Sequence, residues 1–555
     1  AVREERPMAP QCASVWVLLL LLVFLLLLVD TQAAPAPQRL ISVDPTTFRL
    51  VDDLGRTRIF HGVNVVYKLP PYHPPQLQDF DPVLSLCEAD GDLMRQWGFN
   101  FVRLYTSWEG LEPGTRGTYN EAYLDTLQQV VEMLNARGIY VLLDAHQDIL
   151  SRQFCGEGVP AFAAQVSPTT KPFPNPLGYT IRTDNSTGLP LLEDCLKHPF
   201  WEYYFTHASN EAFQNLYDNK DGIADSFAAF WGKVASHFKD NNGVIGYELL
   251  NEPWPGDTYK DPFLLIEQGR ADRLNLIPLY TKAAQAIYQQ DDKHIVFWES
   301  ALTDVFPLGF EEPPGGSQYR NRSVLSYHLY CYDFDAHGDP RNMLDCDLEI
   351  NGFLAARLAE FRRLRIGGFL TEFGDVRNDS TNGMDMLQMV VQEADSFLQS
   401  WSYWQYKSYN DFTTQDRPNT MEGLWNAEDG SLQENKLRVL SRTYAQAIAG
   451  EPFSMSFNRD NGAFYLVYTI RPDSSHSTTE IYLNEDLFYP KGFKVVVTPP
   501  ILTWSQPEKN YIYMVATNPS QDSGKEVRIT VFPVFDDEST VSSDTPSTRT
   551  PNDVV

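Results

Sequence analysis

Apolar positions along the chain follow two alternating rhythms. Short β-rich runs stand apart from longer segments whose apolar residues recur at helical spacing. The runs are "RIFHGVNVV", "NFVRLY", "GIYVLLDAH", "GVIGYELLNEP", "HIVFWES", "SVLSYHLY", "GGFLTEFG" and "SWSYWQY". Between them lie amphipathic stretches such as "YLDTLQQVVEMLNARG", with Gly138 as its stop signal, and "DSFAAFWGKVASHFKDNNG", stopped by Asn242 and Gly243. Strands that alternate with helices predict a parallel sheet. Eight such units over roughly 400 residues predict an α/β fold of the (β/α)₈ TIM-barrel type. A doubly wound open sheet is the alternative, disfavoured because no Gly-rich phosphate loop follows any strand.

The pattern divides the chain. The barrel is expected over residues 35–450, with an insertion at about 151–222 rich in Pro, Gly and aromatic residues. A long connection after a barrel strand usually decorates the active-site face. From residue 451 to 535 the rhythm changes to short strands bounded by Pro, Gly, Asn and Asp, which predicts a small all-β sandwich. Residues 536–555 are Ser, Thr, Pro and Asp, the composition of a disordered tail with no apolar end for a GPI anchor. At the other end, Arg3 and Arg6 precede an apolar run from Val15 to Val29, followed by small residues. That run is short of the roughly 20 residues a spanning helix needs. Residues 1–34 therefore read as a signal peptide cleaved near Ala33 or Ala34, with an uncleaved anchor as the alternative.

Secretion, to the extracellular space or a digestive or lysosomal lumen, makes the cysteines candidates for disulfides. The expected pairs are Cys155–Cys195 and Cys331–Cys346, with Cys87 free. Sequons at Asn185, Asn321 and Asn378 are expected glycosylation sites; Asn518 is followed by Pro and does not count. No Cys-x-x-Cys spacing suggests zinc, and no metal or other cofactor is implied.

Composition changes the picture only at the edges. The chain of 555 residues is 43% hydrophobic, enough to bury a sizeable core. Its net charge is −29, which disfavours nucleic acid and anionic bilayers as partners. Peripheral contact with a membrane or micelle surface is compatible with this charge, which need not be spread evenly. The 13% of aromatic residues fits core packing and sugar or lipid contact equally.

Chemistry in such a barrel sits at the C-terminal ends of the strands. Polar residues that end apolar strands are Arg103, Asp144, His146, Asp148, Asn251, Glu252, His328, Tyr330, Glu372 and Trp404. Glu252 follows the fourth strand and Glu372 the seventh, so both face one cavity. Either glutamate alone reads more simply as an ion pair or a helix cap. Both together, with Asn-Glu-Pro at the fourth strand, point to glycoside hydrolysis. One carboxyl protonates the leaving oxygen and the other attacks or activates water.

"LLNEPW" with "FLTEFGD" resembles the retaining glycosidases that place acid/base and nucleophile on strands four and seven. "GVNVVYKLPPY", "GFNFVRLYTSWEGLEPGTRGTYNEAYLD", "LLDAHQDILSRQFCGEGVPAF", "YHLYCYDF" and "YWQYK" resemble, more narrowly, the endoglycoceramidases of glycoside hydrolase family 5. The resemblance covers about residues 40–450, and a β-domain after the barrel is also that family's arrangement. It implies cleavage of the β-linkage between an oligosaccharide and ceramide, releasing intact glycan. It also implies Glu252 as acid/base and Glu372 as nucleophile. Lys68, His146, Asp148, Asn251 and Trp404 match the positions that hold the first sugar. Tyr330 should donate to the nucleophile, with His328 close by and Arg103 supporting. Glu372 must then be ionised, and Arg103 and Tyr330 are expected to lower its pKa. Glu252 must hold a proton, which burial beside Glu372 favours. A retaining mechanism requires carboxyl groups about 5–5.5 Å apart.

Without the resemblance, Trp404 reads equally as a packed core aromatic, Lys68 as a solvated lysine and His146 as a hydrogen-bonded core histidine. Two further readings compete on substrate. One is a related β-glycosidase acting on glucosylceramide, a glucan or a mannan. The other is a non-catalytic carbohydrate- or lipid-binding protein, against which the presence of both glutamates argues. "LPPYHPP", "FCGEGVPAFAA" and Trp254 are candidates to line an apolar groove for ceramide.

Overall fold

The computed structural model describes residues 38–75, 79–304, 308–333, 335, 339–413 and 422–534. The expected leader at 1–34 and tail at 536–555 lie outside the described residues. No helix among the described residues is long and apolar enough to cross a membrane.

Eight parallel strands close a barrel. They are β1 (His61–Val65), β2 (Phe101–Tyr105), β3 (Tyr140–Asp144), β4 (Val244–Glu248), β5 (Ile295–Trp298), β6 (Ser323–Leu329), β7 (Gly367–Phe373) and β8 (Ser400–Tyr403). β8 pairs with β1 and completes the ring. Six of them, all but β6 and β7, are buried at every residue. That is why they read as continuous apolar runs: helices cover one face and barrel packing fills the other. The helices sit where the sequence stops predicted them. Glu121–Asn135 ends just before Gly138, whose φ of +77° turns the chain into β3. Neighbouring strands approach closely at Gly246 of β4, where a Cβ would lie 2.2 Å from the Ile295 carbonyl oxygen.

The two ends of the barrel differ in chemistry. Phe101, Tyr140, Ile245, Ile295, Val324 and Phe369 stand in the N-terminal halves of their strands and form an inner apolar cluster. A hairpin of Ile41–Val43 and Leu50–Asp52 packs Ile41, Val43 and Leu50 onto it. Fully burying such side chains contributes about 1.5–3 kcal/mol each. The C-terminal ends carry Arg103, Asp144 and Glu248 in place of apolar residues. They are buried too, and so must satisfy one another.

Beyond the barrel, two antiparallel sheets share a core that includes Ile448, Phe457, Phe464, Ile481 and Ile512. The four-stranded sheet holds Gly450–Phe457, Phe464–Ile470, Phe493–Thr498 and Glu526–Pro533. The seven-stranded sheet holds Tyr444–Ile448, Thr479–Tyr482, Leu502–Glu508 and Tyr511–Ala516. It also recruits the N-terminal hairpin and Thr57–Arg58, so it joins chain from both sides of the barrel.

The insertion after β3 contains short helical turns and two isolated β-bridges among its described residues before the helix His207–Tyr217. Cys155 and Cys195 are joined, with Cα atoms 5.6 Å apart, and so are Cys331 and Cys346, at 5.4 Å. Cys87 is free and buried.

Candidate active site

Asn251 and Glu252 lie three and four residues beyond the end of β4. Glu252 has a φ of +37°, a backbone that a residue with a Cβ holds only under constraint. Gln147, after β3, supplies the constraint: its Nε2 donates to the carbonyls of Asn251 at 2.8 Å and Glu252 at 3.0 Å. Glu372 stands on β7 itself. A Glu252 carboxylate oxygen, a His328 ring nitrogen and a Glu372 carboxylate oxygen all lie within 4.8 Å of one another. One oxygen of each carboxylate thus approaches the other closely, as fits the about 5–5.5 Å between carboxyl groups of a retaining pair.

Arg103 on β2 organises this end of the barrel and is fully buried. Its Nη1 meets Glu372 Oε1 at 2.5 Å and its Nε meets Glu248 Oε2 at 2.5 Å. Its Nη2 donates to Asn251 Oδ1 at 2.8 Å and lies 3.1 Å from Asp144 Oδ2. The planar guanidinium thereby fixes Glu372, β4 and β3 in one network. Tyr330, one residue beyond β6, donates to Glu372 Oε2 at 3.0 Å. His328 Nδ1 lies 2.7 Å from Glu252 Oε1 and 3.4 Å from Glu372 Oε2.

The first-sugar candidates form a second, adjoining network. Trp404 stacks on His146, with ring centroids 5.2 Å apart. His146 Nδ1 lies 2.9 Å from Asp144 and its Nε2 lies 3.4 Å from Asn251 Nδ2. Lys68 is buried, not solvated, and its Nζ lies over the Trp404 ring at 5.0 Å. It contacts Asp148 Oδ2 at 2.6 Å and Asp411 Oδ2 at 2.7 Å, with Glu157 at 3.8 Å. His146, Asp148 and Glu157 have the spacing of a metal cluster, but the Lys68 ammonium already supplies their counter-charge. Trp254 faces no groove: it is buried, stacks on Tyr204 and donates to Asn210 Oδ1 at 3.1 Å.

Burial dominates the electrostatics. Glu372 is pushed up to about 7, not lowered as its cationic neighbours led us to expect. Taking the carboxylate out of water, with Glu252 and Glu299 charges nearby, outweighs the pull of His328 and Arg103. His146 is held well below its ordinary value by burial and by the Lys68 and Arg103 charges, so it is neutral. For His328 burial acts in the same downward sense. There Glu299 and Glu372 overcome it, and the ring stays an imidazolium.

Five residues of these networks escaped the sequence reading: Gln147, Glu157, Glu248, Glu299 and Asp411. Glu299 ends "FWE" directly after β5, so the strand-end rule that found Glu372 would have found it. Asp411 comes from the connection after β8, which only ring closure brings beside Lys68.

Comparison with known proteins follows the same lines. Residues 84–410 match the model of the cellulase family, glycosyl hydrolase family 5. Residues 442–531 match the family 5 C-terminal domain. The chain is 41% identical over 474 residues to an endoglycoceramidase of Cyanea nozakii, covering 85% of this chain and 90% of the relative. It is 40% identical over 478 residues to an endoglycoceramidase of Hydra vulgaris, covering 86% and 87%. In fold it is similar to endo-glycoceramidase II from Rhodococcus sp., solved as a ganglioside GM3 complex. The TM-score is 0.69 at 23% identity, over 88% of this chain and 99% of that one.

Proposed function

Because the chain belongs to glycoside hydrolase family 5 and stands among its endoglycoceramidases, we propose that it is a retaining endo-β-glycosidase of glycosphingolipids. It hydrolyses the bond between oligosaccharide and ceramide and releases both intact. The observation that carries the mechanism is the approach of one Glu252 carboxylate oxygen to one Glu372 carboxylate oxygen within 4.8 Å, from the connection after β4 and from β7.

Glu372 attacks the anomeric carbon while Glu252 gives its proton to the glycosidic oxygen, and ceramide leaves. Forming the glycosyl ester removes the Glu372 charge. Glu252, now a carboxylate, takes a proton from water as the water oxygen bonds to the same carbon and Glu372 departs. Asn251 is set by Arg103 at Oδ1 and by the Gln147 carbonyl at Nδ2, and the second Nδ2 proton, beside His146 Nε2, is the one to address the sugar 2-hydroxyl. Lys68, Asp148, His146 and Trp404 bind the first sugar. Trp404 Nε1 is buried without a partner among the described residues, a donor suited to a sugar hydroxyl.

Peripheral contact with a lipid surface belongs to this reading. Large exposed apolar side chains stand on the connections after β3 and β4: Trp201 and Phe205, with Tyr259 bonded to the Phe205 carbonyl, and Phe263 and Ile266. Secretion is supported by the two disulfides and by the exposure of Asn185 and Asn321 as glycan acceptors. Asn378 is half-buried, and its Oδ1 accepts from the Asn435 amide.

The test is product analysis with lactosylceramide in detergent. Intact lactose plus ceramide, lost in Glu372→Gln, is the expected result. Galactose alone would replace this reading with exo-cleavage.

A further inference from the structure

Glu299 is a buried carboxylate that the mechanism above does not use, yet it touches three of its parts. Its Oε2 accepts from the Glu252 backbone N–H at 3.4 Å. Its Oε1 lies 3.2 Å from His328 Nε2 and 3.7 Å from Arg103 Nη2. Neither Glu299 Oε1 nor His328 Nε2 has a geometrically formed hydrogen bond among the described residues, so each faces the other at 3.2 Å as an ion-pair contact. The opposite ring nitrogen, Nδ1, meets Glu252 Oε1 at 2.7 Å. One imidazole therefore bridges two carboxylates that come from the ends of adjacent strands, β4 and β5.

Resting on the function proposed above, we infer that Glu299 is a positioning residue. It holds the Nε2 proton of His328 and so keeps Nδ1 as the proton source and sink for Glu252. The proton on Nδ1 passes to Glu252 Oε1, leaving a neutral imidazole whose Nε2–H still faces Glu299. Glu252 then gives that proton to the departing glycosidic oxygen as Glu372 bonds to the anomeric carbon. In the second half, Glu252 takes a proton from the attacking water and returns it to Nδ1, so each turnover leaves the proton count unchanged. A buried imidazole keeps a second proton only if charge opposes its desolvation. Glu299 is the leading group that does so, followed by Glu372. The groups facing His328 are Glu252 after β4, Glu299 after β5 and Glu372 on β7. Arg103 on β2 and neutral His146 after β3 stand behind them.

The experiment compares Glu299→Gln with the parent chain on two substrates across pH. One is lactosylceramide, whose leaving oxygen needs a proton. The other is 2,4-dinitrophenyl lactoside, whose leaving group does not. In Glu299→Gln, the basic limb of kcat/KM for lactosylceramide should move down by about one pH unit, while the aryl lactoside is nearly unaffected. Glu299→Asp, which keeps the charge, should restore the limb. An unmoved limb, or equal losses on both substrates, would overturn the inference and leave Glu299 a packing residue. A parent chain that cleaves neither substrate would instead overturn the function on which the inference rests. Should the Gln variant not fold, the ring ¹⁵N shifts of His328 in the parent chain decide. Both nitrogens protonated at pH 7.5 is the expected result, and a neutral ring contradicts it.

Discussion

Asp144, Glu248, Glu299 and Glu372 surround one guanidinium that has no contact with solvent. Arg103→Met leaves those carboxylates without their shared counter-ion. Removing one partner of a buried pair costs about 3–5 kcal/mol, so the expected outcome is a lower denaturation midpoint together with loss of hydrolysis. Arg103→Lys keeps the charge but not the fork. It should fold and still lose about 10²–10³-fold in kcat, because an ammonium cannot hold Glu372, Glu248 and Asn251 at once. Urea unfolding and initial rates separate the two effects. The polar residues that end apolar strands were legible in the sequence, since burial beside a carboxylate is costly enough to need a reason. The direction of the Glu372 shift was not. It depends on how deeply the ring of strands buries the group, which residue types alone do not disclose.

At the level of elements, the insertion after β3 has little regular structure and is tied by Cys155–Cys195 across a separation of 40 residues. Opening a loop of that size frees about 3–4 kcal/mol of chain entropy in the unfolded state. The double substitution Cys155→Ala, Cys195→Ala should lower the melting temperature. It should also expose Arg182, already on the surface, to rapid tryptic cleavage. Unchanged melting and an unchanged digestion pattern would mean that packing alone holds the insertion. Strand and helix alternation predicted the barrel because its strands are covered on both faces and so carry uninterrupted apolar runs. Strands such as Leu502–Glu508 were harder to see: they are exposed along most of their length and contain Pro507. Recruitment of the N-terminal hairpin into the seven-stranded sheet is a long-range pairing, and it leaves no local signal.

For the whole molecule, charge and burial act together on stability. Burial pushes Glu372 and Asp272 up to about 7 and Asp304 up to about 6. Unfolded carboxyls titrate near 4. Between about pH 4 and pH 7 the folded chain holds protons that the unfolded chain has released. The stability these groups confer is full below about pH 4 and is lost as pH rises through 6 and 7. Asp291 acts oppositely: although burial opposes it, the His294 bond holds its carboxyl below the ordinary range, and that contribution is lost in strong acid. The net charge of −29 adds self-repulsion at higher pH. Melting temperature should therefore be several degrees higher near pH 5 than at pH 7.5. A flat or rising profile over that interval would count against the buried proton-holding carboxyls.

Double displacement through Glu372, with the glycan kept intact, passes through a covalent glycosyl-enzyme. That intermediate is trapped by incubating the enzyme with 2-deoxy-2-fluoro-β-lactosyl fluoride, which forms the glycosyl-enzyme but hydrolyses it slowly, and mapping the peptides by mass spectrometry. A fluorolactosyl adduct on the peptide carrying Glu372, absent in Glu372→Gln, is the expected result. No adduct, with turnover of lactosylceramide to the inverted sugar, would contradict it.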